Sequence, residues 1–292
     1  MYISQREYFN EITKKYVLEF KKIIRSDRYL QTLARIDKLP FSRIYFGAEF
    51  CERLIPRTED LKMVIDFCEK NDMGLTLLTP FVTDMGMEKL KKLFRLLEKL
   101  DVKGLEVVFN DWGVFRFIKR KYRFNLSIGR LLTKQKKDPS FIEDVIDKNF
   151  LNLDEDTRII IKECSIDASP LLTSFILKNG ISRIELDNVY QGIEVEFNIK
   201  KSLYYPFVPV TTTRFCKATS YALKQSYIRG KNPCNKECLE SVYSYTINNV
   251  RLFLKGNTQF YCNNMLPKNL SLFDRLVFEP PELFMSPRDS TQ

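Results

Sequence analysis

The sequence predicts a parallel α/β protein, a (β/α)8 TIM-barrel-like fold with a cysteine-rich C-terminal insertion. Short apolar segments alternate with amphipathic segments of helical length, which is the pattern of parallel strands joined by crossover helices. A doubly wound sheet is the alternative for this pattern, but no G-x-G-x-x-G loop follows a predicted strand. Because the pattern contains about seven or eight strands, the barrel is favoured.

The individual elements follow from their apolar periodicity and from their boundary residues. The helix before Gly180 is predicted to begin at Pro170, with Ser169 as its N-cap. The predicted strands are Ser42–Phe46, Gly74–Thr79, Gly104–Phe109, Phe124–Ile128, Ile181–Leu186 and Ile193–Phe197. The other predicted helices between them are Leu61–Asn71, Met87–Leu100, Trp112–Lys119 and Ser140–Asp147.

Three parts of the chain are expected. Residues 1–40 are predicted to form a helical extension, because apolar residues recur at helical spacing along residues 4–30. Residues 41–280 are predicted to form the barrel, including the cysteine-rich segment 204–262. Residues 281–292 are predicted to be a flexible tail.

Composition limits both the location and the chemistry. The chain is 44% hydrophobic but has no apolar run long enough for a membrane span and no signal-peptide pattern, so a cytoplasmic protein is expected. It contains no histidine, which excludes Ser–His–Asp and Cys–His catalysis as well as His-ligated zinc. Any metal would therefore be held by thiolate and carboxylate groups.

Cysteines provide the strongest functional signal. Three of the seven, Cys216, Cys234 and Cys238, lie close together in a basic segment rich in turn-forming residues. Thiolates on such a segment can turn back toward a common centre, as a metal ion or an iron–sulfur cluster requires. A fourth thiol could come from Cys51, which follows the first predicted strand, or from Cys262. The remaining two, Cys68 and Cys164, are interpreted as buried thiols.

The stretches IYFGAEFC, LLTPFV and RFC…PCNKEC resemble the U32 peptidase family, and within it the UbiV type of iron–sulfur protein. This resemblance implies a 4Fe–4S cluster on Cys51, Cys216, Cys234 and Cys238. It also implies a role in oxygen-independent hydroxylation and a homologous family partner in a heterodimer. The segment LFLKGNTQFYCNN resembles the family's V-L-N-G-x-Q-T segment, which makes Cys262 an extra thiol. The family's Y-G-H motif is missing, because Lys201–Pro206 contains no histidine.

Zinc is the alternative occupant of such a site. Structural zinc sites favour a C-x-x-C pair, whereas Cys234 and Cys238 enclose three residues. Together with the redox chemistry that the resemblance implies, this spacing favours iron–sulfur over zinc.

Polar residues at the carboxyl ends of the predicted strands are candidates for substrate binding. In a (β/α)8 barrel these ends share one rim, where active sites lie. The alternative is that the same residues cap helices and form turns, as Asp111 would do in front of Trp112. The candidates are Asp84, Asn110, Asp111, Glu185 and Asp187.

The formal net charge of +10 is concentrated partly in Arg116–Lys137. Such a segment is either a solvated helix face or a surface for RNA. On a barrel, its first part would lie on the outer helical ring and its later part would return over the rim.

Three functions agree with these observations. The first is an oxidoreductase or hydroxylase-type enzyme, or a subunit of one, that acts on a small aromatic or nucleobase substrate. The second is a U32-type peptidase, although no G-x-S-x-G or H-E-x-x-H motif is present. The third is a non-catalytic redox or partner subunit.

Overall fold

The computed structural model describes residues 2–3, 41–137, 170–193, 195, 197–222, 234–239, 241–247, 250–267, 270–279 and 284. The helices predicted within residues 4–30 and at Ser140–Asp147 lie outside these ranges, as do Ser169 and Cys164. Among the described residues, no helix combines the length and the apolar character needed to cross a bilayer.

Twelve strands and five α-helices are described. The strands are β1 (Tyr2–Ile3), β2 (Arg43–Gly47), β3 (Gly74–Thr79), β4 (Glu106–Phe109), β5 (Asn125–Ile128), β6 (Arg183–Asp187), β7 (Lys200–Tyr205), β8 (Phe207–Thr212), β9 (Tyr243–Ile247), β10 (Val250–Lys255), β11 (Thr258–Cys262) and β12 (Arg275–Phe278). The helices are α1 (Thr58–Lys70), α2 (Asp84–Leu100), α3 (Trp112–Lys121), α4 (Pro170–Lys178) and α5 (Lys217–Ala222).

Eight strands form one parallel sheet in the order β1-β2-β3-β4-β5-β6-β7-β12. Helices α1 to α4 follow β2 to β5 in turn, so this part of the chain consists of β/α units. The face of α2 that packs on the sheet repeats at helical spacing, as the sequence predicts. Its buried apolar residues are Leu90, Leu93, Phe94 and Leu97.

Side chains inside the sheet are layered as in a barrel. Strands β2, β4, β6 and β12 each contribute one charged side chain to a common layer near the amino ends of the strands. In this layer Arg275 contacts Glu106 at 2.5 and 3.0 Å, and Arg43 and Arg183 each lie 3.9 Å from the same carboxylate. Alternate strands supply the layers of a (β/α)8 barrel. This layering makes the sheet barrel-like, although no ladder joins β1 to β12 among the described residues.

A second, antiparallel sheet with the order β8-β11-β10-β9 occupies the segment between β7 and β12. It packs over the carboxyl ends of the barrel strands. Asn257 donates to the carbonyl of Phe50, and Asn263 donates to that of Asn188. The sequence analysis had assigned this region only as a cysteine-rich insertion.

The structure corrects one predicted strand and adds two observations near the ends of the predicted barrel range. The predicted strand Ile193–Phe197 is wrong, because its described residues are not in a strand and the next strand is β7. Ile193 and Val195 are nevertheless buried, so their apolar character reflects packing of a loop. The barrel sheet also begins before residue 41, since β1 pairs with β2. Finally, Phe284 in the predicted flexible tail is buried and stacks on Phe207 at 3.7 Å.

Candidate functional site

A cavity of about 410 Å³ lies between the carboxyl end of the barrel and the antiparallel sheet. Its volume falls within the range of ligand pockets, roughly 300–1,000 Å³. The four cysteines that the resemblance implies as cluster ligands all line this cavity: Cys51, Cys216, Cys234 and Cys238. They come from three segments, which the fold brings together although they are far apart in the chain.

Cys51 lies on the loop that follows β2. This loop leaves the barrel at Gly47, whose φ of +131° favours glycine and whose missing Cβ would clash with the backbone of Leu78. After the cysteine, Glu52 accepts hydrogen bonds from the backbone N–H of Thr83 (2.6 Å) and from its hydroxyl, just before α2 begins. The Cys51 loop is therefore anchored on both sides of the cysteine, at Gly47 and at Glu52.

Cys216 immediately precedes α5. Its Sγ accepts a hydrogen bond from the backbone N–H of Thr219 at 3.4 Å, and its carbonyl accepts one from the N–H of Ser220 at 3.1 Å. Backbone hydrogen bonds to sulfur are among the interactions that tune iron–sulfur clusters. The hydroxyl of Thr219 also donates to Glu237 at 2.9 Å, which links this segment to the one that carries Cys238.

Cys234 and Cys238 flank a tight turn. Lys236 between them has a φ of +64°, and the N–H of Leu239 donates to its carbonyl at 2.9 Å. This turn leads into a short 3-10 helix, Glu237–Leu239, in which Cys238 is buried. The left-handed residue allows both thiols of a C-x-x-x-C pair to face the same cavity.

The four thiols lie within electrostatic reach of one another. Burial raises the pKa of Cys51, and the thiols of Cys216 and Cys234 raise it further. Burial likewise raises the pKa of Cys238 to about 12, and the other three thiols act in the same direction. Cys51 and Cys238 are therefore held as neutral thiols without a metal, and a metal would have to displace their protons.

Cysteine thiols are donors that both a zinc ion and a 4Fe–4S cluster take. Among the described residues, no group of three or more His, Cys, Asp or Glu side chains is arranged so as to hold a metal ion. The four cysteines of this cavity therefore provide the donor type for either group.

The other described cysteines lie elsewhere. Cys262 does not line the cavity; its Sγ donates to Asn264 at 3.2 Å, and burial raises its pKa to about 11. Cys68 is buried in α1, where burial raises its pKa to about 12. Both are placed as ordinary thiols.

Arg130 forms a buried charge centre beside the cavity, which the sequence analysis missed. Its guanidinium contacts Glu49 at 2.5 Å, Glu279 at 2.8 Å and Asp187 at 3.0 Å, and it stacks on the ring of Tyr204 at 3.8 Å. All five side chains are buried. Burial alone would lower the pKa of Arg130, but the three carboxylates raise it well above its usual value. The available signal was an arginine two residues after a buried strand.

Two of these carboxylates, Glu49 and Glu279, line the cavity. Burial raises the pKa of Glu279 to about 7 despite the opposing effect of Arg130, so this group can hold a proton near neutral pH. Lys255 also lines the cavity, and burial lowers its pKa to about 8 against the effects of Cys238 and Glu279. The lining of the cavity thus combines acidic, basic and thiol groups.

The rest of the wall is largely apolar and aromatic. Phe81 lines the cavity, and the guanidinium of Arg214, which is exposed and also lines it, stands 5.3 Å from its ring. Such a wall excludes water and offers flat surfaces to a planar ligand. The phenylalanines that line the cavity are Phe50, Phe81, Phe215, Phe260 and Phe284.

None of the five predicted substrate-binding residues lines this cavity. Asp84 is exposed at the start of α2. Asn110 is buried and bridges the carbonyl of Thr79 and the N–H of Leu131 at 3.1 Å each. Asp111 caps α3, accepting from Gly113 and Val114, so the alternative weighed for it in the sequence analysis is confirmed.

The remaining two, Glu185 and Asp187, lie inside the barrel. Asp187 belongs to the Arg130 centre and also pairs with Lys137. Glu185 is fully buried in β6. Burial raises its pKa to about 7, although Arg275 and Arg183 act in the opposite direction.

A test of stability against pH follows for Glu185. Its pKa is higher in the folded than in the unfolded chain, so its contribution to stability is complete below about pH 4.5 and is lost as the pH rises toward 7. Replacing Glu185 by Gln is expected to make the free energy of unfolding less dependent on pH in this window. The variant should be more stable than the wild type at pH 8, as measured by urea denaturation. Equal pH profiles for the two proteins would contradict this assignment.

The basic segment Arg116–Lys137 is split between two places. Its first part lies on the exposed face of α3, whereas Arg130 is buried and Lys137 is paired with Asp187. Lys134 and Lys136 are exposed beyond β5. The placement agrees with the sequence analysis, and RNA binding stays a prediction.

Neutralising Lys134 and Lys136 with glutamine tests that prediction without disturbing the Arg130 centre. If RNA phosphates bind there, the slope of log affinity against log salt should become shallower by about 1.4 for single-stranded RNA. The control is the same change at the exposed Lys99 and Lys103, which lie around the end of α2. An unchanged slope, or no binding at low salt, would identify Lys134 and Lys136 as a solvated face.

Comparison with known proteins gives little sequence similarity. No family model matches the chain, and no curated protein matches it at a significant level. Among solved structures, the chain is similar to the U32 peptidase Mk0906, with a TM-score of 0.39 and 10% sequence identity. That similarity covers 82% of this chain and 86% of the other. Membership of the U32 family, which the sequence motifs suggest, stays a prediction.

Proposed function

We propose that this chain is an iron–sulfur protein that holds a 4Fe–4S cluster on Cys51, Cys216, Cys234 and Cys238. The observation that supports this proposal is that all four thiols, from three distant segments, line one cavity. When bound, such a cluster supplies electron transfer. Zinc on the same cysteines is the competing occupant.

The same cavity would serve as the substrate site. We propose a redox enzyme, or a redox subunit, that acts on a small aromatic or nucleobase substrate. Oxygen-independent hydroxylation is the reaction that the family resemblance implies. The phenylalanine wall would stack on a planar ring and exclude water, while the exposed Arg214 would attract an anionic group.

Two features of the chain suit this chemistry. Lys255, close to Cys238, would offset part of the negative charge that four thiolates bring to the cavity. Glu279 is held by Arg130 at 2.8 Å and lines the cavity, so it can give or take a proton beside a bound substrate.

The absorbance spectrum of protein purified without oxygen tests the cluster. We expect a brown protein with a broad visible absorbance that fades on reduction and on exposure to air. A colourless protein that contains zinc and no iron would contradict the proposal.

Activity assays separate the three functions. Turnover of an aromatic or nucleobase substrate by the isolated chain would support an enzyme. An iron-loaded chain that turns over only with a homologous partner would be a subunit. Hydrolysis of peptides by the metal-free chain would favour the peptidase alternative, because it would not depend on the cluster.

A further inference from the structure

We infer that the turn between β10 and β11, Lys255–Thr258, assembles the cysteine site, with Asn257 as its positioning residue. This inference rests on the proposed function. The turn contains no cysteine, yet it contacts all three segments on which the four thiols lie.

The side chain of Asn257 joins two of these segments. Its Nδ2 donates to the carbonyl of Phe50 at 2.6 Å and to the carbonyl of Thr213 at 2.6 Å. Phe50 directly precedes Cys51, and Thr213 lies three residues before Cys216. One buried amide therefore uses both of its N–H groups to hold the loop of one ligand against the loop of another.

The backbone of the turn reinforces the same contacts. The carbonyl of Asn257 accepts from the N–H of Thr213 at 3.0 Å, and that of Gly256 accepts from the N–H of Ala218 at 3.1 Å. The hydroxyls of Thr258 and Thr212 lie 2.9 Å apart. The Cys216 segment is therefore attached to the turn both before and after its cysteine.

The third segment packs against Gly256. A Cβ at this position would lie 3.2 Å from the Cβ of Cys238 and 3.5 Å from its Sγ. Its φ of +63° also favours glycine. The close approach of the backbone to Cys238 thus depends on the missing side chain.

Without this turn, bringing Cys51 to the other thiols would require ordering loops that are distant in the chain. The hydrogen bond from Asn257 to Phe50 spans 207 positions of the sequence. Mutating a group that hydrogen-bonds to a metal ligand and orients it typically lowers metal affinity by about 10–100-fold. Asn257 holds the backbone close to two ligands, at Phe50 and at Thr213, rather than the ligands themselves.

The test compares Asn257→Ala, Asn257→Asp and Gly256→Ala with a matched control, Asn263→Ala. Asn263 is a buried amide of the same sheet region that donates to Asn188 and does not line the cavity. The first readout is iron per chain after anaerobic reconstitution at limiting iron. The second, on metal-free protein, is the yield of a Cys51–Cys216 crosslink formed by a short bifunctional thiol reagent and mapped by mass spectrometry.

We expect iron affinity to fall by about 10-fold or more in the Asn257 variants, with the crosslink largely lost. Gly256→Ala should lower iron through Cys238, and Asn263→Ala should keep both iron and crosslink. Folded Asn257 variants that keep both, or a wild type without the crosslink, would overturn the inference. A wild type that forms the crosslink but binds no iron, with the crosslink lost in Asn257→Ala, would support the turn and contradict the cluster.

Discussion

Replacing any one of Cys51, Cys216, Cys234 and Cys238 by alanine is expected to reduce bound iron to about a tenth or less of the wild-type value. Removing a group that only orients a metal ligand already lowers metal affinity by about tenfold. Removing a ligand itself should therefore lower it by at least as much. A missing thiolate also opens the cluster to solvent. The measurement is iron and sulfide per chain after anaerobic purification.

The matched controls are Cys68→Ala and Cys262→Ala, because both residues are described cysteines that do not line the cavity. Both variants should keep their iron. If Cys262→Ala lost iron while Cys51→Ala kept it, the ligands would come from the local cysteine-rich segment, and the site drawn from the cavity would be wrong.

Replacing Arg130 by methionine is expected to lower the free energy of unfolding by about 3–5 kcal/mol at neutral pH. The change leaves Glu49, Asp187 and Glu279 buried without the cation that all three contact. Lys137 would still pair with Asp187. Because the other carboxylates can take up protons, the loss should be smaller near pH 5 than near pH 8.

Urea denaturation of Arg130→Met at the two pH values provides the measurement. The control is Arg116→Gln, since Arg116 is exposed on α3 and should change stability little. Adding Glu49→Gln and Glu279→Gln to the Arg130 variant should recover part of the loss. A loss below about 1 kcal/mol, or one that grows toward pH 5, would show that the charge centre is not a major source of stability.

The β/α part of the fold could be predicted from the sequence because its signals are local. Strands such as Gly74–Thr79 are short apolar runs, and α2 buries one regular face. The antiparallel sheet could not be predicted in the same way. Its strands interrupt a segment whose cysteines and turn residues dominate the pattern, and β9 is half-exposed and carries no clear apolar alternation.

The candidate site likewise contains features with a local sequence signal and features without one. Cysteines can be found by spacing and by family resemblance, so the chemistry of the donor set was accessible. The Arg130 centre could not be predicted from the sequence. Its carboxylate partners lie 81, 57 and 149 positions away along the chain. The arginine also belongs to a basic run, which suggests a solvated surface. The role of the rim residues could not be decided from the sequence, because a polar group after a strand can equally cap the next helix, as Asp111 does.

Iron, acid-labile sulfide and zinc, measured together on one sample purified without oxygen, test the proposed cluster most directly. The account predicts about four irons and about four sulfides per chain, with little zinc. A variant lacking Cys51, purified in the same way, should contain almost no iron, sulfide or zinc. Stoichiometric zinc without sulfide in the wild type, or full iron and sulfide in the Cys51 variant, would contradict a cluster held by the four cysteines of this cavity.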